Sequence, residues 1–216
     1  MVYLLGMIPF FVFLLLFSFI RKYSLKKNYK TIIILFLLGC IGSYLSYRVE
    51  MHIGSYFKKV IYSNYYEILF YAIFGVAIIE EGYKWIVSLF SNKIFHVDYI
   101  SSTFLISLSF AVYENTIFYM IPYGANSIFQ RTFTAIFSHL CNSYWMGVLF
   151  EKSFNKNNKL KYLYLLLSLL LPVFFHGLYN SFLYGNKYVN YFYYFYVFYL
   201  IISLILFTRR KYVRKN

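Results

Sequence analysis

Long apolar runs separated by short polar segments dominate this 216-residue sequence. A run of about 20 apolar residues is long enough for a helix to cross the hydrocarbon core of a bilayer. Backbone groups inside a bilayer find no water, so such a segment must satisfy them itself and becomes helical. The runs cover residues 2–20, 31–47, 66–90, 99–121, 131–150, 162–184 and 190–208. The sequence therefore predicts an all-α polytopic membrane helix bundle with about seven transmembrane helices.

Composition favours a single membrane-embedded domain over residues 1–216. Hydrophobic residues make up 61% of the chain and charged residues 13%, whereas soluble domains carry about 25% charged residues. The polar segments between the runs are too short to form a soluble domain. The lipid bilayer is therefore the expected surrounding of the whole chain.

The basic residues are distributed unevenly between the two predicted sides of the membrane. With the N-terminus outside, 15 of the 21 Lys and Arg residues fall in the inner loops and tail. Five fall on the outer side, including Arg131 at a boundary, and Lys84 lies within a run. An excess of Lys and Arg in cytoplasmic loops sets the orientation of membrane proteins. We therefore expect an outer N-terminus, a cytoplasmic C-terminus and no nucleic-acid partner, despite the net charge of +14.

Two adjacent carboxylates and a lysine interrupt the third apolar run. Lys84 follows Glu80 by four residues and Glu81 by three, so on a helix its ammonium can reach either carboxylate. Ionisable side chains at membrane depth are costly and usually mark a functional site. A buried ion pair that only orients a helix is the alternative, but one carboxylate would be enough for that role.

Further polar groups interrupt the next three runs. Glu114 and Asn115 lie in the fourth run, His139 in the fifth, and His176 with Asn180 in the sixth. Each alone has an ordinary explanation, such as an interhelical hydrogen bond or a close-packing face. Together with the acidic pair they concentrate carboxylate, imidazole, ammonium and amide groups in four consecutive runs. This concentration indicates a functional site.

The depth of three of these groups indicates one shared pocket. At about 1.5 Å per helical residue, Glu114, His139 and His176 lie roughly 11–12 Å below the outer ends of their runs, and Glu80 lies near 20 Å. Side chains at one level on different helices can line the same cavity. We therefore predict a polar pocket in the outer half of the membrane.

The sequence excludes several classes of intramembrane protease. It has no His-Glu-x-x-His zinc motif and no Gly-x-Ser-x-Gly nucleophile motif. Asp98 is the only aspartate and lies between runs, which excludes an intramembrane aspartyl dyad, and Cys40 and Cys141 are isolated. A glutamate that activates water as a general base remains available, with histidine or asparagine donors for the oxyanion.

The ordered set of motifs resembles the PrsW family of intramembrane proteases, in the wider superfamily of CAAX prenyl endopeptidases and bacteriocin-processing enzymes. The matching pieces are Glu80-Glu81-x-x-Lys84, Glu114-Asn115, His139 with Gly147 downstream, and His176-x-x-x-Asn180. A lysine after the double glutamate favours PrsW, because the prenyl endopeptidases usually have arginine one residue later. The match covers about residues 66–184 as the catalytic core, with peripheral helices at 1–47 and 190–208.

The resemblance implies a glutamic-type protease of the bacterial cytoplasmic membrane that needs no metal or other cofactor. It would cut a single-span membrane protein, such as an anti-sigma factor, near the extracytoplasmic face. Glu80 or Glu81 would activate water, and His139 and His176 would polarise the carbonyl or share in proton transfer. The supporting residues would be Lys84, Glu114 and Asn180.

Three other functions fit the same polar residues. A non-catalytic membrane protein could use the pocket to bind a partner, as in immunity-type roles. A transporter could use it for protons or a small cation, although the predicted polar groups stop in the outer half. A metalloenzyme could use His139, His176 and a glutamate as zinc ligands.

Overall fold

The computed structural model describes residues 29–57, 65–120, 125–155, 159–184 and 190–213. Nearly all of these residues are helical, and none of them forms a strand. The all-α prediction is therefore confirmed for this part of the chain. The first predicted run, residues 2–20, lies outside the described residues.

The helices follow the predicted apolar runs in order. Two of them contain a π-helical segment, in which the turn is wider than in an α-helix. In chain order the elements are α1 (Tyr29–Phe57), α2 (Tyr65–Phe70), π1 (Tyr71–Ala77), α3 (Ile78–Phe95), α4 (Tyr99–Tyr113), π2 (Glu114–Met120), α5 (Ala125–Ser153), α6 (Lys161–Tyr184) and α7 (Asn190–Val213).

Several segments predicted as loops are helical in part. α1 continues to Phe57, although the sequence predicts a loop from residue 48, and α5 begins at Ala125, within a predicted loop that reaches residue 130. α3 likewise extends to Phe95, α5 to Ser153 and α7 to Val213. These predicted boundaries are wrong because charged side chains such as Lys, Arg and Glu end an apolar run without ending a helix, since their helix propensities are high.

The turn between α3 and α4 is fixed by side-chain hydrogen bonds. His96 follows α3 with a left-handed φ of 52°, and Asn92 Nδ2 donates to the carbonyl oxygen of Val97 over 2.6 Å. Asp98 Oδ1 accepts a hydrogen bond from the backbone N–H of Ser101 at 3.0 Å. The aspartate therefore serves as an N-cap of α4, a role typical of its side chain at this position.

The α4 helix lies at the centre of the described helices. Its residues from Ser101 to Ala111 are all buried, and α1 and α5 pack along it. α5 also packs along α6, while α3 contacts α1, α4 and α6. This arrangement turns the acidic pair of α3 towards the histidines of α5 and α6.

Two glycines allow the helices that carry the histidines to approach their neighbours closely. A Cβ atom added at Gly147 on α5 would lie 2.6 Å from the Cα atom of Ile100 on α4. Gly177, the residue after His176 on α6, packs against Ile73 of π1 in the same way. Small residues at helix crossings are typical of membrane bundles, so these contacts set the depth and angle at which the histidines enter the interior.

The two π segments lie next to the acidic residues of the interior. π1 ends three residues before Glu80, and π2 begins at Glu114. A π segment adds a residue to a turn and so rotates the side chains that follow it, and such segments are frequent at functional sites. Their position here determines which face of each helix presents a carboxylate to the core.

Two of the described helices are long and apolar enough to cross a membrane by length and composition, at Tyr29–Ser55 and Lys161–Phe182. A shorter apolar helix covers Phe195–Leu206. Large hydrophobic side chains on the outer faces of these helices are exposed, among them Ile33, Leu37, Leu163, Leu166, Phe198 and Ile201. An apolar outer surface of this kind suits a lipid environment.

The contact at Gly147 predicts a position-specific loss of stability. We expect Gly147→Ala to lower the thermal unfolding midpoint in detergent by the equivalent of about 1–3 kcal/mol, because the backbone of Ile100 must move. Gly82→Ala is the matched control, since an added Cβ atom there meets nothing within 4 Å. Equal midpoints for the two variants would contradict the close approach of α4 and α5.

Candidate active site

The ammonium group of Lys84 lies at the centre of a buried cluster of charged and polar side chains. Its Nζ atom is 2.9 Å from Glu81 Oε1, 3.4 Å from Glu80 Oε2 and 3.0 Å from His139 Nδ1. The ring of Phe110 covers it, with the centroid 4.0 Å from Nζ. Lys84 and Glu81 are fully buried, and Glu80 is 4% exposed. A charge in such surroundings is tolerated only with close partners of this kind.

The hydrogen bonds of His139 determine its tautomer. An ammonium group can only donate, so the Nδ1 atom of His139 accepts a hydrogen bond from Lys84. The ring proton of His139 is then carried by Nε2. This Nε2–H group donates to Glu114 Oε2 over 3.0 Å. His139 therefore links the lysine of α3 to the glutamate that begins π2.

The Glu114 carboxylate is held on its other side by an arginine. Arg131 Nη2 donates to Glu114 Oε1 over 2.7 Å, and Arg131 Nε donates to Asn115 Oδ1 over 2.6 Å. Asn115 is itself fixed by a hydrogen bond from its Nδ2 to the carbonyl oxygen of Ala111. Charge-assisted bonds of this geometry are among the stronger polar contacts in proteins, and they fix the carboxylate that orients His139.

The second histidine orients towards both members of the acidic pair. His176 Nδ1 lies 2.7 Å from Glu81 Oε1, a donor–acceptor contact that leaves Nε2 with a free lone pair when Glu81 is ionised. His176 Nε2 lies 3.8 Å from Glu80 Oε2, which is too long for a direct hydrogen bond. A water molecule beside the line that joins these two atoms could lie within hydrogen-bond distance of both. The rings of His139 and His176 meet edge to face, with centroids 4.9 Å apart.

The two glutamates of the pair therefore differ in their surroundings. Glu81 Oε1 is held by Lys84 and His176 at short distances, while its Oε2 is buried and makes no hydrogen bond with the described residues. Glu80 has the longer contact with Lys84 and retains a little exposure. A glutamate that must exchange a proton with water needs access and freedom, and Glu80 has more of both.

Of the residues singled out from the sequence, Asn180 is the one that lies apart. It is buried one helical turn after His176, but among the described residues no hydrogen bond joins it to the charged cluster. Gly147 is a packing residue on α5. The structure brings Glu80, Glu81, Lys84, Glu114, His139 and His176 together into one network.

Arg131 belongs to this network, although its position in the sequence predicts a membrane boundary. It is 9% exposed and bonds directly to Glu114. The available signal was its spacing, because Arg131 precedes His139 by eight residues and so lies on the same face of a helix.

Glu50 is a second residue near the charged cluster that the sequence pattern does not predict to lie there, because it falls in a predicted loop. It lies on α1, is partly buried, and stands within electrostatic range of Glu80, Glu114 and Lys84. Its Oε1 atom is buried and makes no hydrogen bond with the described residues. The signal was again helical spacing, because the buried Ser43 and Ser46 lie on the same face as Glu50.

The chemistry of the cluster must also be tested against a divalent metal ion. Glu80, Glu81, His139 and His176 offer four ligand atoms that all lie within 4.8 Å of one another, and carboxylate and imidazole are suitable zinc donors. The ammonium group of Lys84, however, already contacts three of these four side chains. Zinc bonds of about 2.0–2.2 Å would place the ion in the space that the ammonium fills, so the donors do not fit a metal while Lys84 keeps this position.

The pair of Arg131 and Glu114 predicts coupled effects on stability. We expect Arg131→Met to lower the free energy of unfolding by about 3–5 kcal/mol, because it leaves a buried carboxylate without its cation. The double variant Arg131→Met/Glu114→Gln should recover part of this loss. Unfolding in detergent, followed by fluorescence, checks the pair. Losses in the double variant that equal the sum of the single losses would contradict the direct contact.

The unpartnered oxygen of Glu50 predicts a gain of stability. Glu50→Gln replaces a buried ionisable side chain, whose Oε1 atom has no partner among the described residues, with a neutral one, so we expect the free energy of unfolding to rise by about 1 kcal/mol. Glu81→Gln is the contrasting variant and should lower it, because Glu81 is paired with Lys84 and His176. A loss of stability in Glu50→Gln as large as that in Glu81→Gln would show that Glu50 has a native partner.

The chain is similar to known proteins over most of its length. The family described as "PrsW family intramembrane metalloprotease" matches residues 27–206. The chain is 34% identical to the protease PrsW of Oceanobacillus iheyensis over 159 residues, which cover 71% of this chain and 70% of that protein. It is 33% identical to the protease PrsW of Geobacillus kaustophilus over 126 residues, or 56% and 55% of the two chains. The match with the Bacillus subtilis protease PrsW has 30% identity over 119 residues, about half of each chain.

No solved structure matches the chain. The family match covers every helix that contributes to the charged cluster. The Oceanobacillus protease matches over more than two thirds of the chain and of its own length. The chain therefore belongs to the PrsW family of intramembrane proteases.

Proposed function

We propose that this protein is a glutamic-type endopeptidase that cuts a single-span membrane protein near the extracytoplasmic face of a bacterial membrane. The observation that carries the proposal is the separation of 3.8 Å between Glu80 Oε2 and His176 Nε2. At this separation one water molecule beside the two atoms could hydrogen-bond to both, and the two side chains are held by Lys84 and Glu81. Family membership supports proteolysis, and the geometry supports the assignment of roles.

In this mechanism Glu80 is the general base. The water oxygen attacks the carbonyl carbon of the scissile peptide bond while one water proton passes to the Glu80 carboxylate. The second proton hydrogen-bonds to His176 Nε2, which aims the oxygen lone pair at the substrate. Collapse of the tetrahedral intermediate breaks the C–N bond, and the proton on Glu80 moves to the leaving amine. The products are one new carboxyl group and one new amino group.

The remaining residues support this step without exchanging protons with the substrate. Lys84 keeps Glu81 ionised and in place, and Glu81 fixes His176 in the tautomer that accepts at Nε2. His139 and Glu114 hold the lysine from the other side. Asn180, which lies one turn from His176 outside this network, is available to donate its amide N–H to the oxyanion.

The predicted topology sets where the substrate would be cut. With about seven transmembrane helices and the N-terminus outside, Glu114, His139 and His176 lie in the outer half of the membrane. A core of residues 66–184 would hold the site, and the helices at 1–47 and 190–208 would surround it. A substrate with one membrane span, such as an anti-sigma factor, would then be cut near its extracytoplasmic end.

Removal of the proposed base tests this function. We expect Glu80→Gln to reduce cleavage at least about 100-fold, as is typical for the loss of a general base. The assay co-expresses each variant with tagged single-span membrane proteins of the same organism and follows the tagged fragment by blot. Glu151→Gln, at the end of α5 and outside the cluster, is the matched control and should retain cleavage.

The cleavage assay and a flux measurement in vesicles together separate the alternatives. Cleavage that persists in Glu80→Gln, at an equal amount of protein in the membrane, would contradict the role of Glu80. A protein that cuts no substrate but dissipates a proton or cation gradient in vesicles would be a transporter that uses the same pocket.

A further inference from the structure

The matching family is described as a metalloprotease family, whereas the candidate site of this chain contains a cation of its own. Four side chains present carboxylate and imidazole atoms within 4.8 Å of one another. Such a set normally surrounds a metal ion. Here the ammonium group of Lys84 lies among them.

The contacts of Lys84 resemble those of a bound cation. Nζ lies 2.9 Å from Glu81 Oε1, 3.0 Å from His139 Nδ1 and 3.4 Å from Glu80 Oε2. These are three of the four side chains that form the donor set. The face of Phe110 closes the remaining side at 4.0 Å, and cation–π contacts of this length favour a positive charge. Lys84 is fully buried, so water does not share in this solvation.

We infer that Lys84 is the resident cation of the site and excludes a divalent metal ion from these four donors, and that removal of its ammonium group converts them into a metal site. This inference rests on the proposed function for the roles of the glutamates and histidines. It adds that the ammonium group occupies the place that a metal ion would take and holds the carboxylates and the imidazole, while activation of water falls to Glu80 and not to a Lewis acid.

Steric and electrostatic effects both produce this exclusion. Metal bonds of about 2.0–2.2 Å are shorter than the contacts of Nζ, so an ion bonded to the same atoms would overlap the ammonium. Like charges at that distance repel strongly in a buried site. Without Lys84, two adjacent buried carboxylates would face one another with no cation between them, and this arrangement favours the capture of a divalent ion from solution.

Metal content of the purified protein tests the inference. Wild type, Lys84→Met and Lys84→Met/His139→Ala are purified in detergent, incubated with Zn²⁺, freed of excess by gel filtration and measured by elemental mass spectrometry. Co²⁺ replaces Zn²⁺ in a second series, because its visible absorption reports nitrogen and oxygen ligands. Methionine is an unbranched side chain one atom shorter than lysine and carries no charge, and Lys84→Gln serves if Lys84→Met does not fold.

We expect no retained zinc in the wild type, about one equivalent in Lys84→Met, and loss of that equivalent in the double variant. Two results would overturn the inference. One is a wild type that retains an equivalent of zinc and loses it on His139→Ala or His176→Ala. The other is a folded Lys84→Met that retains none. The measurements of metal content need no substrate. An absence of proteolysis would therefore contradict the proposed function without changing what the metal content shows.

Discussion

The rest of the interior depends on a buried ammonium group shared between two carboxylates and an imidazole. Lys84 contacts Glu80 and Glu81 of its own helix and His139 of α5. None of these groups could lie so far from water alone, because the cost of burying an isolated charge is large. Their mutual contacts offset that cost, and they do so only if α3 and α5 meet at one depth and one angle.

The network extends outward from this centre and ties further helices together. Glu81 reaches His176 on α6, and His139 reaches Glu114 at the start of π2, which Arg131 then holds. Each contact constrains a ring or a carboxylate whose orientation matters for proton transfer. The close approaches at Gly147 and Gly177 place the two histidine helices where these contacts can form. Packing and polar contacts thus depend on each other, as expected where a bilayer supplies little hydrophobic drive between helices.

Much of this network can be predicted from sequence because its members interrupt apolar runs. Glu80, Glu81, Lys84, Glu114, His139 and His176 stand out against a background in which ionisable groups are expensive. Glu50 and Arg131 were missed for the opposite reason, since they lie near the ends of runs, where a charge also suits a loop. Pairings such as Arg131 with Glu114 depend on helix packing that a single sequence does not encode in any local pattern. The distinction between Glu80 and Glu81 likewise follows from distances alone.

The most direct test is an experimentally determined structure of the Glu80→Gln variant with a trapped substrate that the wild type cuts. The account predicts that the scissile carbonyl lies beside residue 80 and His176, with a water molecule hydrogen-bonded to both side chains and Lys84 still bound to Glu81. A scissile carbonyl outside hydrogen-bonding reach of a water held by these two residues would contradict the account.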